Sequence, residues 1–547
     1  MAESASTDAR TNFDLLNEPW LVVRLLDGST TEVSLLEAFR RADSIRELAG
    51  ELSTQDFAVL RLMLAILYRA VQWSRITGAN WQRWWEQGLP VDEIEQYLSA
   101  YRDRFDLLHR ERPFYQVAEL RTAKDEPRDV TPLIFDLPTR NRLFTTRAGA
   151  GASHLSFAEA ARWLIHTQAF DTSGIKSGAL GDPRVIGGKG YPIGVAWLGL
   201  LGGVLAEGDN LRETLLLNLV GPSNYLDCDE EQDLPPWERD DPDTAADRGD
   251  PPHGPVGLFT WQSRRIRLMH DGASITSCLV TNGDQITPQN LQHYEPATAW
   301  RFSELQTRKL GRTTYMPREH QPGRAFWRGI SALLPRRAAA GGKAAPSLAP
   351  GVLEWLSFLQ ENGRLAANRT IRLRAVGVVY GSNNSVVDEI IDDRLLIPLA
   401  VLRADNPDFA DVAERAVDLA EDGVRALRHL AQNLARAAGG EPEGPGQYAE
   451  SLGYASLDAP YRQWLAALGS ETAAAALDRW RIIARNAIAD LGDDLIAASG
   501  PSAWAGRLLA LRPGAQPELL TSSRAENWFR SALRKTFGTQ DGKESAA

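Results

Sequence analysis

The sequence predicts an α+β fold, with a large irregular mixed domain over residues 1–400 followed by a C-terminal four-helix bundle over 401–547. Three observations lead there. A chain of 547 residues exceeds what one hydrophobic core usually organises. Up to Pro398, short strand and helix signals follow one another without the regular strand–helix alternation of a doubly wound sheet. From Val401 onward strand signals vanish, and alanine, leucine and arginine dominate.

Taken in order, DLLNEPWLVVRLLDGSTTEVSLLEAFRRA reads as a strand, an Asp-Gly turn and a second strand running into a helix. From Ser53 to Trp85 apolar residues recur at helical spacing on nearly every face, which predicts a buried core helix. SFAEAARWLIHTQ is another helix with Ser156 as its N-cap. PVGLFTWQSRRIRLMH and RTIRLRAVGVVYG read as strands. PRRAAAGGKAAPSLAPG, residues 335–351, has the composition of a flexible surface loop. Four amphipathic segments make the bundle. The first is capped by Asn406 or Asp408 and closes on Gly439-Gly440; the others are APYRQWLAALG, a helix begun by Ser470-Glu471, and SSRAENWFRSALRKTF. The tail after Gly538 is expected to be disordered.

Composition narrows the function. No run of 18 apolar residues occurs, and the first residues lack the pattern of a secretory signal, so a cytoplasmic protein with no membrane partner is expected. Two cysteines, Cys228 and Cys278, support neither a disulfide framework nor a cysteine-based zinc site. The net charge of −11 would argue against nucleic acid, but residues 227–250 alone hold eleven acids against Arg239 and Arg248, leaving −2 for the rest of the chain. That acidic segment reads as a solvated loop or, alternatively, as a charge-mimicking or gating element.

No enzyme motif is found: no phosphate-binding G-x-x-x-x-G-K-[ST], no dinucleotide fingerprint in AGAGAS, no H-E-x-x-H and no G-x-S-x-G. Scattered histidines such as His166 and His429 read as packed or solvated helix residues. The expectation is therefore a protein that is not an enzyme, with no cofactor and no metal.

The stretch YGSNNS places Asn383 and Asn384 at the tip of a hairpin. Asparagine tolerates the left-handed turn conformation, so a plain turn accounts for the pair. The functional alternative is that a stiff hairpin pushes short amides between base pairs as a wedge, the unstacking being offset by new contacts.

Several segments together resemble the CasA family, the large subunit of the type I-E CRISPR Cascade surveillance complex: NFDLLNEPWLVVR, ERPFYQV, NRLFTTRAG, TSGIKSGALG and YGSNNS, in that order, with the C-terminal bundle. The resemblance implies a wedge of Asn383, Asn384 and Ser385 beside the protospacer-adjacent motif; many members carry glutamine where Asn384 stands. It implies that Thr172, Ser173 and Gly174, followed by Lys176, read the motif from the minor groove. A motif-reading lysine of some members has no counterpart in LQHYEPATAW, which offers only His293 and Tyr294. Phe144, flanked by Arg142 and Arg147, is implied to dock at the 5′ handle of the guide RNA. The cysteine-rich metal knot of some relatives is excluded by the cysteine count.

In the bundle, Arg425, Arg428, Gln432 and Arg436 fall on one helical face and Arg481 and Arg485 form an i, i+4 pair. The resemblance implies that such rows guide target strands. The expected protein is thus a non-catalytic recognition subunit. It would bind guide RNA, double-stranded target DNA and the other Cascade subunits, read the motif, open adjacent base pairs to start an R-loop, and help recruit a helicase-nuclease. The alternative is a scaffold or adaptor that touches no DNA.

Overall fold

The computed structural model describes residues 12–124, 127–137, 145, 147, 149–223, 226–239, 245–335, 345–366, 368–510 and 516–538. Two units form. The first comprises Met1–Arg324, Arg337–Leu365 and Ile371–Arg394; the second comprises Ala325–Arg336, Ala366–Thr370 and Leu395–Ala547. Helices and strands are both plentiful, so the fold is α+β as expected. Among the described residues, no helix is long and apolar enough to cross a membrane.

The first unit begins with the expected hairpin. Strands Leu21–Leu25 and Thr30–Val33 pair antiparallel across a turn in which Gly28 adopts φ 88°, a value open to glycine at no steric cost. Ile45–Leu48 adds to the other edge. The apolar run from Ser53 forms a helix buried nearly all round, but it stops at Val71 rather than continuing to Trp85. Gln72 turns the chain at φ 64°, and Thr77 caps a new helix, Gly78–Gln87. Helical spacing persisted across this break because both helices bury apolar faces.

At the centre of that long helix Arg61 is fully buried and donates twice to Glu295, at 2.7 and 2.6 Å, with Trp197 donating to the same carboxylate at 3.0 Å. The bidentate geometry and the Trp197 bond offset much of the desolvation of this buried pair, although Arg61 Nε finds no partner. Helix Phe157–Phe170 opens with a full capping box between Ser156 and Glu159. The run PVGLFTWQSRRIRLMH, read as a strand, splits instead into a short helix, Pro255–Phe259, and a strand, Arg264–His270, which pairs with Ile275–Asn282. Pro255 stands at the helix start, where its missing N–H is no loss, and the Asp233 carboxylate accepts from the amides of Val256 (2.9 Å) and Gly257 (2.7 Å). That contact also corrects the acidic segment. It is not simply a solvated loop, since Asp233 is buried and Glu238 pairs with Arg69 at 2.6 Å. Residues 240–244 of it lie outside the described residues.

Strand Thr370–Tyr380 is the spine of a three-stranded sheet, with Gly203–Glu207 on one side and Val387–Pro398 on the other. Among the described residues, the two longest strands thus form the hairpin that carries Asn383 and Asn384.

In the second unit, helix Asp408–Ala438 packs against Glu443–Ala466, Ala473–Ala497 and Ser522–Phe537. Its core is aromatic. Tyr461 stacks on Trp327 at 4.3 Å and meets Trp480 edge-on at 5.2 Å. The segment APYRQWLAALG is the end of a longer helix, since Glu443–Ala466 continues through Pro460. Between the third and fourth helices lies a small hairpin, Arg507–Leu509 with Glu518–Leu520, that composition did not announce. Of the 335–351 segment, 336–344 lie outside the described residues and Ser347–Leu348 pairs with Trp300–Phe302; the tail beyond Gly538 is also outside them.

Candidate nucleic-acid interface

Helix Phe157–Phe170 ends at Asp171, and the chain then turns outward through Thr172, Ser173 and Gly174. Gly174 adopts φ 151°, a conformation side chains avoid, and a Cβ built there meets nothing within 4 Å. Glycine is therefore required by the backbone and not by packing.

Three buried or half-buried side chains hold this loop from beneath. Asp171 pairs with the Lys176 ammonium at 2.5 Å and with Arg264 Nε. Arg264, buried in its strand, also donates to the carbonyls of Thr172 (3.1 Å) and Gly194 (2.9 Å). Burial alone would push the Asp171 carboxyl up; Lys176 and Arg264 reverse that and hold it below the ordinary carboxylate range. The neighbouring Tyr380 hydroxyl donates to the Phe170 carbonyl at 2.6 Å, which ties the hairpin strand to the helix end.

The hairpin tip is compact. Gly381 N–H donates to Val386 O (3.0 Å), Asn384 N–H to Gly381 O (2.9 Å) and Ser385 N–H to Ser382 O (3.1 Å). Asn383 and Asn384 both take φ 54°, the left-handed conformation asparagine tolerates best after glycine. Ser382, Asn383, Asn384 and Ser385 are exposed. The decisive contact joins the two elements: Ser173 N–H donates to Asn384 O at 2.8 Å. Two segments more than two hundred positions apart in sequence therefore meet at one exposed place, with backbone from one and carboxamides from the other.

Lys176 does not join them. Only 14% of its side chain is exposed and its ammonium is committed to Asp171, so the sequence expectation of a cation facing DNA is not what the structure shows. The residue that faces solvent is Ile175, at 59% exposure. Alternation explains the swap: with Lys176 turned inward, its neighbour turns outward.

Arg147 likewise points inward. Its guanidinium pairs with Glu51 (2.5 Å) and Glu159 (3.2 Å), donates to Gly151 O (3.1 Å), and is 8% exposed. Two carboxylates leave it no charge to offer a phosphate. Arg142 and Phe144 lie outside the described residues.

The bundle arginines are mostly paired. Arg425 bonds Asp422 (2.6 Å), Arg428 bonds Glu443 (2.6 Å) and Glu450 (2.5 Å), Arg436 donates to Asn433 (3.1 Å), and Arg481 bonds Asp478 (2.7 Å). Arg485 is exposed and, among the described residues, makes no ion pair. Among the described residues, no group of three or more His, Cys, Asp or Glu side chains could hold a metal. Sequence reasoning missed Asp171, Arg264 and Tyr380, whose roles depend on contacts made from distant parts of the chain.

A family model described as CRISPR-associated protein Cse1 matches residues 14–491. A CRISPR-associated CasA/Cse1 protein of Thermus thermophilus is 31% identical over 492 residues, covering 87% of this chain and 90% of that one. The crystal structure of Thermobifida fusca Cse1 superposes with a TM-score of 0.88 at 43% identity, covering 96% of this chain and 98% of that one. A chain of a CRISPR RNA-guided surveillance complex shares the fold, with a TM-score of 0.69 at 20% identity, covering 96% of this chain and all of that one.

Proposed function

The chain belongs to the CRISPR-associated Cse1 family, and from that premise we propose that it is the non-catalytic subunit that finds the target in an RNA-guided antiviral complex. The backbone of Thr172, Ser173 and Gly174 reads the protospacer-adjacent motif in duplex DNA, and Asn383 and Asn384 enter the neighbouring base stack. Opening the first base pairs lets the guide RNA test complementarity, and a helicase-nuclease is recruited once pairing succeeds. The single observation that supports this reading most is the Ser173–Asn384 backbone bond at an exposed tip. A motif reader and a wedge must act on adjacent base pairs, and this bond fixes their spacing to within one hydrogen bond.

Ile175 takes the place first given to Lys176. An exposed aliphatic side chain beside the wedge suits apolar contact with sugars and base faces in a minor groove. Of the bundle arginines, Arg485 has the charge free to meet a strand phosphate. The guide-RNA contact rests with Arg142 and Phe144 of the NRLFTTRAG segment.

The test is a photo-crosslinker placed at position 384 in the reconstituted complex. Crosslinks to target DNA at the motif-proximal base pairs are expected. Crosslinks to protein subunits alone, with Asn383→Ala plus Asn384→Ala leaving DNA affinity intact, would establish the scaffold reading instead.

A further inference from the structure

A 480 Å³ cleft in the first unit lies apart from the wedge and is walled by Arg24 and Arg46 of the N-terminal sheet, by Arg372, Arg374 and Arg394 of the hairpin strands, and by the first turn of helix Ser53–Val71. Acids line it too, so the question is which charges are left over. Glu47 pairs with Arg24 (3.0 Å) and Arg394 (3.6 Å). Glu207 pairs with Arg394 (3.1 Å) and Arg374 (3.5 Å). Asp56 lies 4.0 Å from Arg374 and accepts from Gly50 N–H at 2.7 Å. Glu51 is taken by Arg147. Asp392, beside the cleft, takes Arg374 in two bonds of 2.7 Å, so four carboxylates face Arg24, Arg374 and Arg394; Arg46 and Arg372, among the described residues, make no ion pair and no side-chain hydrogen bond.

We propose that Arg46 and Arg372 bind a nucleic-acid backbone phosphate in this cleft. Two unmatched guanidiniums in a concave polar site present fork-shaped donors to an oxyanion; Arg372 is half-buried and Arg46 is exposed at the rim. The volume is ample for a phosphodiester unit, within the range of ordinary ligand sites. Helix Ser53–Val71 strengthens the case, because its N-cap, Leu52, lines the cleft and has no side chain to satisfy the first-turn amides. The proposal rests on the nucleic-acid reading above, and either the guide RNA or the target DNA can supply the phosphate.

The experiment uses the reconstituted complex with Arg46→Ala plus Arg372→Ala in two arms: docking of the chain onto the guide-RNA-loaded assembly that lacks it, and binding of target duplex by the complete complex. Each arm is measured between 50 and 200 mM salt. The double variant is expected to flatten the salt dependence by about 1 to 2 in log–log slope in one arm, so that wild type loses roughly four- to sixteenfold more affinity over that range. A change in the docking arm assigns the phosphate to RNA; a change in the duplex arm assigns it to DNA. Unchanged slopes in both arms overturn the proposal. Arg308→Ala, which removes a surface arginine paired with Glu304, controls for net charge. If the double variant does not fold, Arg46→Ala alone, on an exposed edge-strand position, gives the same readout with a slope change of about 1. Loss of duplex opening by the Asn383/Asn384 variant alongside unchanged slopes here would defeat this inference and leave the motif-reading proposal standing.

Discussion

Lys176 separates two physical accounts of the motif loop. If its ammonium met a DNA phosphate, Lys176→Met would lower the salt slope of duplex binding by about 1 and leave stability alone. The structure demands the opposite. Lys176 bonds Asp171 at 2.5 Å with 14% and 12% of the two side chains exposed, so the pair is largely shielded from solvent. At an effective dielectric near 20, opposite charges about 4 Å apart attract by roughly 4 kcal/mol, part of which is cancelled by desolvation. Because Arg264 still neutralises Asp171 in the variant, the net loss for Lys176→Met is about 1–3 kcal/mol. Asp171→Asn is the harsher change, since it strands two buried cations; about 3–5 kcal/mol is expected. The double variant is expected to be less damaged than the sum of the two, because the partners interact directly. Guanidinium melts of the three variants give the cycle, and salt titrations of duplex binding give the slope. A slope reduced by about 1 with an unchanged melt would refute the reasoning, by showing that Lys176 leaves Asp171 for the DNA.

The hairpin tip allows turn and amide to be separated. Asn383→Gly plus Asn384→Gly keeps the φ 54° turn but removes both carboxamides, so stability is expected to stay within about 0.5 kcal/mol while opening of motif-proximal base pairs, read by 2-aminopurine fluorescence, is lost. Arg485→Ala is expected to lower the salt slope by about 1, and Arg428→Ala to leave it unchanged, because Arg428 is already matched by Glu443 and Glu450. His166 supplies a pH test. Fully buried, it is driven by desolvation to about 3, well below its ordinary value. Its neutral form stabilises the fold above the unfolded pKa near 6.5, and that contribution is lost as pH falls toward 3. Asp56, pushed up to about 6 by burial, changes stability in the opposite sense between pH 4 and 6, so the wild-type curve mixes both. The difference in unfolding free energy between wild type and His166→Gln isolates the imidazole and is expected to shrink by about 2 kcal/mol from pH 7.5 to 5. A constant difference would contradict a neutral buried His166.

What the sequence revealed and what it hid follow the range of the interactions involved. The N-terminal hairpin, the Ser156 N-cap and the long strands around YGSNNS were legible because turn chemistry, capping and alternation act within a few residues. The break at Gln72 and the helix at Pro255 were not. The first hides inside unbroken helical spacing, and the second is capped by Asp233 from more than twenty residues upstream. APYRQWLAALG read as a separate short segment; packing carries the helix Glu443–Ala466 through Pro460, with glycines such as Gly453 admitting close approach, since a Cβ there would lie 3.0 Å from Val424. At the candidate site the residue types were legible and their orientations were not. Lys176 and Arg147 carry the charge a nucleic-acid protein needs, yet each faces a carboxylate, and only the folded chain brings Asp171, Glu51 and Glu159 against them.

Those inward cations bear on how, under the proposed function, a loop of small residues could do mechanical work. Unstacking a base step requires a few kcal/mol, so a wedge that yields under load would transmit nothing. The tip projects from strands of 11 and 12 residues whose spine is hydrogen-bonded on both edges. Its far end is tied through Asn384 O to Ser173, and the loop bearing Ser173 is clamped by Arg264 on the carbonyls of Asp171 and Thr172 and by Asp171 on Lys176. Under the proposed function, charge that looks suited to holding DNA is used instead to hold the backbone proposed to read it. Rigidity at the tip then comes from buried pairs insensitive to salt, while attraction of the duplex falls to exposed, salt-sensitive groups elsewhere. Weakening the clamp and weakening the attraction must therefore give different signatures: loss of opening at all salt concentrations for the first, and for the second a loss of affinity that is largest at low salt and fades as salt rises.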